Sequence, residues 1–230
     1  MPQILPALIF DLDGTLTDSM PGILSCLRRV LDAWHIDSQG PLERFVGPPV
    51  DQWTEELLAE GTVEDRARLA RDYRGCYDRE GWKNNSVYAG VAGMLTELGD
   101  RGFPLYVCTS KQQHFALRIL DLFGLSGQFT AIYGDKSEYA SHSKEDLLAR
   151  LLRDHSLAPE NAWMIGDRVF DIRAGRANGV RCLAAGWGYG SPEEYAQADA
   201  IAANPAEVLA LVSAETSQRN PADASSAVIV

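Results

Sequence analysis

Several polar residues stand just beyond short apolar runs, where they could act together on an anionic group. Asp11 and Asp13 follow Ala7–Phe10, Thr109 follows Leu105–Cys108, and Asp167 follows Trp163–Ile165, with Asp171 four residues on. If these runs are strands of one parallel sheet, their polar tips share its carboxyl edge, where open parallel sheets bind ligands. Carboxylates gathered there repel and raise one another's pKa values. A hard divalent cation removes that conflict. Oxygen-only ligands suit Mg²⁺, which keeps several waters and often bridges to a substrate phosphate. Asp11 and Asp13 are two apart, so at a strand end their side chains point to the same side. One can then be a nucleophile and the other an acid or base. Gly14 suits a tight turn where the backbone approaches a ligand. Thr109 offers a hydroxyl and a backbone N–H to an anionic oxygen. Lys144 opens a predicted helix, so its charge adds to an N-terminal dipole that also favours anions. An isolated Asp-x-Asp-Gly is an ordinary turn; it is the ordered set that points to chemistry.

The elements that must position these residues are legible as alternation. Five apolar runs read as buried strands: Ala7–Phe10, Leu105–Cys108, Ala131–Tyr133, Trp163–Ile165 and Arg181–Ala184. Helical stripes lie between them, among them Phe115, Ala116, Ile119, Leu120 and Phe123, and Leu147, Leu148, Leu151 and Leu152. Alternating strands and helices predict an α/β fold, a Rossmann-like parallel sheet with right-handed crossovers and helices on both faces. One connection, Leu12 to Pro104, far exceeds the roughly dozen residues a crossover needs. It carries two helical faces of its own. One is Ile23, Leu27, Val30, Leu31 and Trp34, with Ser19 as N-cap and Pro21 in the first turn; the other is Val63, Ala67, Ala70, Tyr73 and Tyr77. Residues 17–85 are therefore expected to form a small helical insertion over the sheet's end. Residues 1–16 and 86–213 form the core, and 214–230, rich in Ser, Ala, Asn and Pro, a mobile tail. Trp34, Trp53 and Tyr73 are read as the insertion's own core, and Gly186-Trp187-Gly188-Tyr189-Gly190 as a mobile loop. Arg168, Arg173 and Arg176 are read as a solvated basic face, with Arg168 in reach of an anion site. His35, His114, His142 and His155 show no metal spacing.

The chain has 230 residues, suiting one domain or a core with an insertion. Its 21 basic and 32 acidic residues give a net charge of −11, which argues against nucleic acid as a partner. Apolar residues make up 46%, enough for a real core, and no run is long enough to span a membrane. The N-terminus lacks Lys or Arg before its apolar stretch and is a poor secretory signal. Cys26, Cys76, Cys108 and Cys182 form no C-x-x-C pair and read as free thiols in a reducing compartment. The expectation is a cytoplasmic protein with neither nucleic-acid nor membrane partner.

Asp11-Leu12-Asp13-Gly14-Thr15, Thr109, Lys144 and Gly166-Asp167-x-x-x-Asp171, in that order, resemble the four motifs of the haloacid dehalogenase superfamily. The resemblance covers about residues 5–212. Phe45-Val46-Gly47-Pro48-Pro49, Thr109-Ser110-Lys111 and the Gly186–Gly190 run are similar to its phosphoglycolate phosphatase-like branch, which carries a helical cap. The resemblance implies a Mg²⁺-dependent phosphatase acting on a small phosphate ester. Asp11 would attack phosphorus to give an aspartyl-phosphate, and Asp13 would serve as acid and then base. Asp11, the Asp13 carbonyl and Asp167 would hold the metal, and Asp171 would orient a metal-bound water or Lys144. Thr109, Ser110 and Lys144 would bind phosphate, although Ser110 and Lys111 read equally as substrate or cap contacts. The alternatives are a sugar-phosphate phosphomutase with the same intermediate, in which the cap shields it from water, and a non-catalytic module that binds phosphate and Mg²⁺.

Overall fold

Leu8, Ile9 and Phe10 are completely buried because their strand, β1 (Ala7–Phe10), runs through the middle of a sheet. The computed structural model describes residues 5–48, 50–136 and 143–218. After β1 come β2 (Thr17–Asp18), α1 (Met20–Ala33), α2 (Val50–Leu57), α3 (Val63–Arg79) and β3 (Ser86–Val87). Next are α4 (Val91–Asp100), β4 (Leu105–Gln112), α5 (Gln113–Leu122), β5 (Ala131–Asp135) and α6 (Lys144–Asp154). The chain continues through β6 (Ala162–Gly166), α7 (Val169–Ala177), β7 (Arg181–Ala185), α8 (Pro192–Tyr195), β8 (Ala200–Ala202) and α9 (Ala206–Gln218).

The sheet is parallel, in the order β5-β4-β1-β6-β7-β8. Phe10 of β1 lies opposite Val107 of β4 on one side and Ile165 of β6 on the other. That register sets the three strand ends, and so Asp11, Thr109 and Asp167, side by side. It also makes β1 the point where strand order reverses, the ligand crevice of open parallel sheets. The α/β fold read from the sequence is the fold observed.

Three details differ. A sixth strand, β8, lies at the edge; its three residues are too short to give a periodic signal. β4 does not end at Cys108 but runs to Gln112, with its pairing to β5 irregular between those residues. Thr109, Ser110 and Lys111 thus sit on a distorted strand end, where irregularities re-aim side chains. And α9 continues to Gln218, into the segment expected to be an irregular tail from 214; residues 219–230 lie outside the described residues, as do Pro49 and His142.

Helices α1, α2 and α3 fill the long connection. β2 and β3 pair antiparallel, Thr17 with Val87, and so bring the two ends of that connection together. Local chemistry explains the helices. Thr62 and Asp65 cap α3 reciprocally, Pro21 opens α1, and Ser143 accepts the Asp146 amide at the start of α6. Ser19 stands at the N-cap of α1 without making a capping bond. The rings of Phe45, Trp53, Tyr73, Tyr77 and Phe115 are in successive contact, from the helical segment across to α5. All four cysteines are free and buried, and no described helix is long and apolar enough to cross a membrane.

Candidate active site

Beyond Phe10 the chain turns sharply. The Leu12 carbonyl accepts the amides of Leu16 (2.9 Å) and Thr17 (3.0 Å), and the Gly14 amide donates to the Thr17 carbonyl at 2.8 Å. Gly14 has φ +82°, and a β-carbon there would overlap the Asp167 carboxylate. Glycine is required on both counts. Asp167 is fixed from two directions: the Thr15 hydroxyl donates to Oδ1 (3.1 Å) and the Tyr189 amide to Oδ2 (2.8 Å).

Asp171 lies in the first turn of α7. Its Oδ2 accepts the Arg168 amide (2.9 Å), a capping bond, while Oδ1 pairs with the Lys144 ammonium. One carboxylate therefore both caps α7 and holds Lys144. Lys144, at the start of α6, also reaches Asp11 Oδ1 at 2.8 Å. Asp13 points elsewhere: its Oδ2 is 2.6 Å from Lys111 Nζ, and its buried Oδ1 has no hydrogen-bond partner. Lys111 in turn lies over the Tyr77 ring, 4.8 Å from its centroid. Thr109 is buried and its hydroxyl accepts the Lys111 amide at 3.3 Å, whereas Ser110 is exposed. Both line the same cavity as Asp11, Asp13 and Lys144.

Asp11, Asp167 and Asp171 are all buried, and each offers an oxygen within 4.8 Å of the others. Burial pushes Asp11 up to about 6, against the pull of Lys144. Burial, then repulsion from Asp171 and Asp11, also raises Asp167. Burial opposes the charge on Lys144, but Asp11 and Asp171 outweigh it and hold the ammonium charged. Two of these three buried carboxylates share one lysine and the third has no cation partner among the described residues, so a hard divalent cation fits this all-oxygen set. The predicted ligands Asp11 and Asp167 come together here. Asp171, expected outside the ligand set, lies in the same cluster, and the Asp13 carboxylate turns to Lys111.

A pH dependence follows. An Asp whose folded pKa is raised keeps its proton in the folded state after the unfolded chain has lost it. Its contribution to stability is complete below 3.8 and is lost as pH rises through about 6. Thermal melts of metal-free protein should show about 3 kcal/mol disappearing between those values through Asp11. Saturating Mg²⁺ should flatten that loss. A metal-free melt independent of pH over this window would contradict the geometry.

The cavity has a volume of about 140 Å³, and three sequence readings change around it. Trp53 and Tyr73 are core residues of the helical segment, yet they also line the cavity; Trp34 does not, and its Nε1 donates to Asp72 at 2.9 Å. The Gly186–Gly190 run is pinned rather than mobile. Trp187 Nε1 donates to the Thr15 carbonyl (2.9 Å), and the Tyr189 hydroxyl donates to Asp18 (2.9 Å). A β-carbon at Gly188 would overlap Asp167, a close approach that the glycine spacing could have signalled. Arg168 is likewise no solvated residue. Its Nη1 donates to the Val46 carbonyl (2.7 Å) and its Nε to Glu194 (3.2 Å), and it seats the loop carrying Gly47 (φ +105°) beside the cavity.

The chain as a whole is similar to known proteins. Residues 8–185 match the family model described as haloacid dehalogenase-like hydrolase. The chain is 39% identical over 193 residues to tyrosine-protein kinase PtkA of Mycobacterium tuberculosis H37Rv, covering 82% of this chain but 64% of that protein, just under two thirds of its length. It is 38% identical over 192 residues to a 5′-nucleotidase of Pseudomonas aeruginosa PAO1, covering 82% of this chain and 86% of that one. With a phosphoglycolate phosphatase of Rhodospirillum rubrum it shares 31% identity over 208 residues, 85% of each. The solved structure of a predicted phosphatase from Clostridium acetobutylicum superimposes with a TM-score of 0.82 at 32% identity, covering 92% of this chain and all (100%) of that one.

Proposed function

The chain belongs to the haloacid dehalogenase-like hydrolase family, and on that premise we propose a divalent-cation-dependent phosphatase that hydrolyses a small phosphate monoester through an aspartyl-phosphate. Its relatives named as phosphatase and nucleotidase support the phosphoric monoester hydrolase reading, in the phosphoglycolate phosphatase-like branch. The observation that carries it is the Asp11 carboxylate, buried at the end of β1 against Asp167, Asp171 and Lys144, with the Asp13 carboxylate on the same cavity.

In this reading an Asp11 oxygen attacks phosphorus and the ester P–O bond breaks. Asp13 gives its proton to the departing alkoxide. A water then attacks phosphorus, Asp13 takes the water's proton, and the acyl-phosphate P–O bond breaks to return Asp11 and free phosphate. One carboxylate acts as nucleophile and the other as acid and base. Asp13 suits the second role because Oδ1 has no protein partner, while Lys111 on Oδ2 fixes the group's direction. Thr109, Ser110 and Lys144 hold the non-bridging oxygens, which is where phosphoryl transfer needs positioning and charge. Asp11, Asp167 and the Asp13 carbonyl would hold Mg²⁺, with Asp171 orienting Lys144. The cation would supply the remaining positive charge for the carboxylates and the phosphoryl oxygens. Residues 17–85 act as a cap that covers the cavity and excludes bulk water.

Phosphate release from a panel of phosphomonoesters tests this. Release should require a divalent cation, fall to background with EDTA and return with Mg²⁺. Either no release from any ester, or release that survives EDTA, would overturn the reading.

A further inference from the structure

The cavity is lined by two chemically distinct sets of side chains. The polar set includes Asp11, Asp13, Thr109 and Lys144. The aromatic set includes Phe45, Trp53, Tyr73, Tyr77 and Phe115. These five rings form an unbroken row, with centroids 6.1, 5.1, 6.0 and 5.0 Å apart in turn. The same residues belong to the hydrophobic core, so the row is held rigidly before any ligand arrives.

Each cation on the cavity has a protein partner, and Lys144 stands at the phosphate end, where the proposed reaction assigns it to the phosphoryl oxygens. Lys144 pairs with Asp11 and Asp171, Lys111 with Asp13, and Arg74 with Asp51 at 3.1 Å. Arg168 is held by the Val46 carbonyl and Glu194. Among the described residues, every lysine and arginine lining the cavity therefore has an acceptor. Away from the phosphate end, a leaving group with a carboxylate of its own would lose water and meet only cations that already hold Asp13, Asp51 and Glu194, which is costly. An uncharged ring would instead meet other rings, which favour edge-to-face and offset contacts.

From this we propose that the alcohol part of the substrate carries an uncharged aromatic ring that packs against Trp53, Tyr73 and Tyr77. The substrate class is then a ring-bearing phosphate monoester, not a phosphorylated hydroxy acid. The ring can come from a nucleoside or from a benzyl-type alcohol. The proposal rests on the phosphatase reading for its phosphate end.

Matched pairs of ligands isolate the ring. Uridine 5′-monophosphate and ribose 5-phosphate share their ester carbon and differ by a base; benzyl and ethyl phosphate differ by a phenyl group. Binding is measured by titration calorimetry on the Asp11→Asn protein with Mg²⁺, so the ligand is not consumed. In at least one pair the ring-bearing member should bind about tenfold more tightly, and the pair that responds identifies the source of the ring. A ratio under about threefold in both pairs, or 2-phosphoglycolate binding more tightly than every ring-bearing ligand, would overturn the proposal. Phosphate release by the unaltered protein is scored separately: if that fails while the ratios hold, the phosphatase reading falls and the ring site stands. Tyr73→Leu should bring the responding ratio below about threefold, with Trp53→Leu as the second variant if the first does not fold. A merely loosened cap would weaken both members of a pair and leave their ratio intact.

Discussion

Asp11→Asn is expected to lower phosphate release at least about 10³-fold, measured as kcat on the best ester of the panel. The substitution keeps the size and planarity of the side chain but removes the carboxylate proposed as nucleophile. Because the proposed aspartyl-phosphate would form on Asp11, no covalent phosphoprotein should be trapped after acid quenching. The stability change should run the other way. Burial holds Asp11 at about 6, so its ionised form is a burden on the metal-free fold at pH 7. Metal-free Asp11→Asn should therefore melt at least as high as the metal-free parent, and Mg²⁺ should raise its melting temperature less. A variant with near-normal turnover would remove Asp11 from the chemistry. A variant that is inactive only because it unfolds would be exposed by the same melts.

Lys144→Met should cost both activity and stability. Lys144 is buried and bridges Asp11 and Asp171, so its loss leaves those two carboxylates without a protein cation. Breaking a buried ion pair from one side costs about 3–5 kcal/mol. For a chain of this size that corresponds to roughly 10 °C in the melting temperature of the metal-free protein. Mg²⁺ should recover part of the stability, since it supplies charge to the same carboxylates. It should not recover turnover, which is expected to remain about 10²–10³-fold down, because the proposed donor to the phosphoryl oxygens is gone. An unchanged melt in EDTA would show that Lys144 does not balance the cluster; full turnover in Mg²⁺ would exclude it from the reaction.

The two variants divide the site along the line between what the chain announces locally and what only folding brings together. Asp11, Asp13, Thr109, Asp167 and Asp171 could be found in the sequence because each stands near the end of an apolar run. The helices could be read from their stripes, and Gly102 and Gly124, both at positive φ, mark where α4 and α5 stop. These signals act within a few residues and survive in a linear reading. β8 escaped because three residues carry no period, and the Gly186–Gly190 run looked mobile because its anchors, Thr15, Asp18 and Asp167, are not its neighbours in sequence.

Partnership was decided by tertiary structure. Nothing local tells Lys144 to bridge Asp11 and Asp171, Lys111 to turn to Asp13, or Tyr73 to face the cavity while it also packs a core. Each depends on β1 lying between β4 and β6 and on the β2–β3 pairing that returns α1, α2 and α3 to the sheet's edge. The sequence by itself determined which groups stand at the strand tips, because strand periodicity and turn chemistry are short-range. The order of the strands determined which of those groups meet, because that order is chosen by burial of the whole sheet, a free energy that no single segment contains.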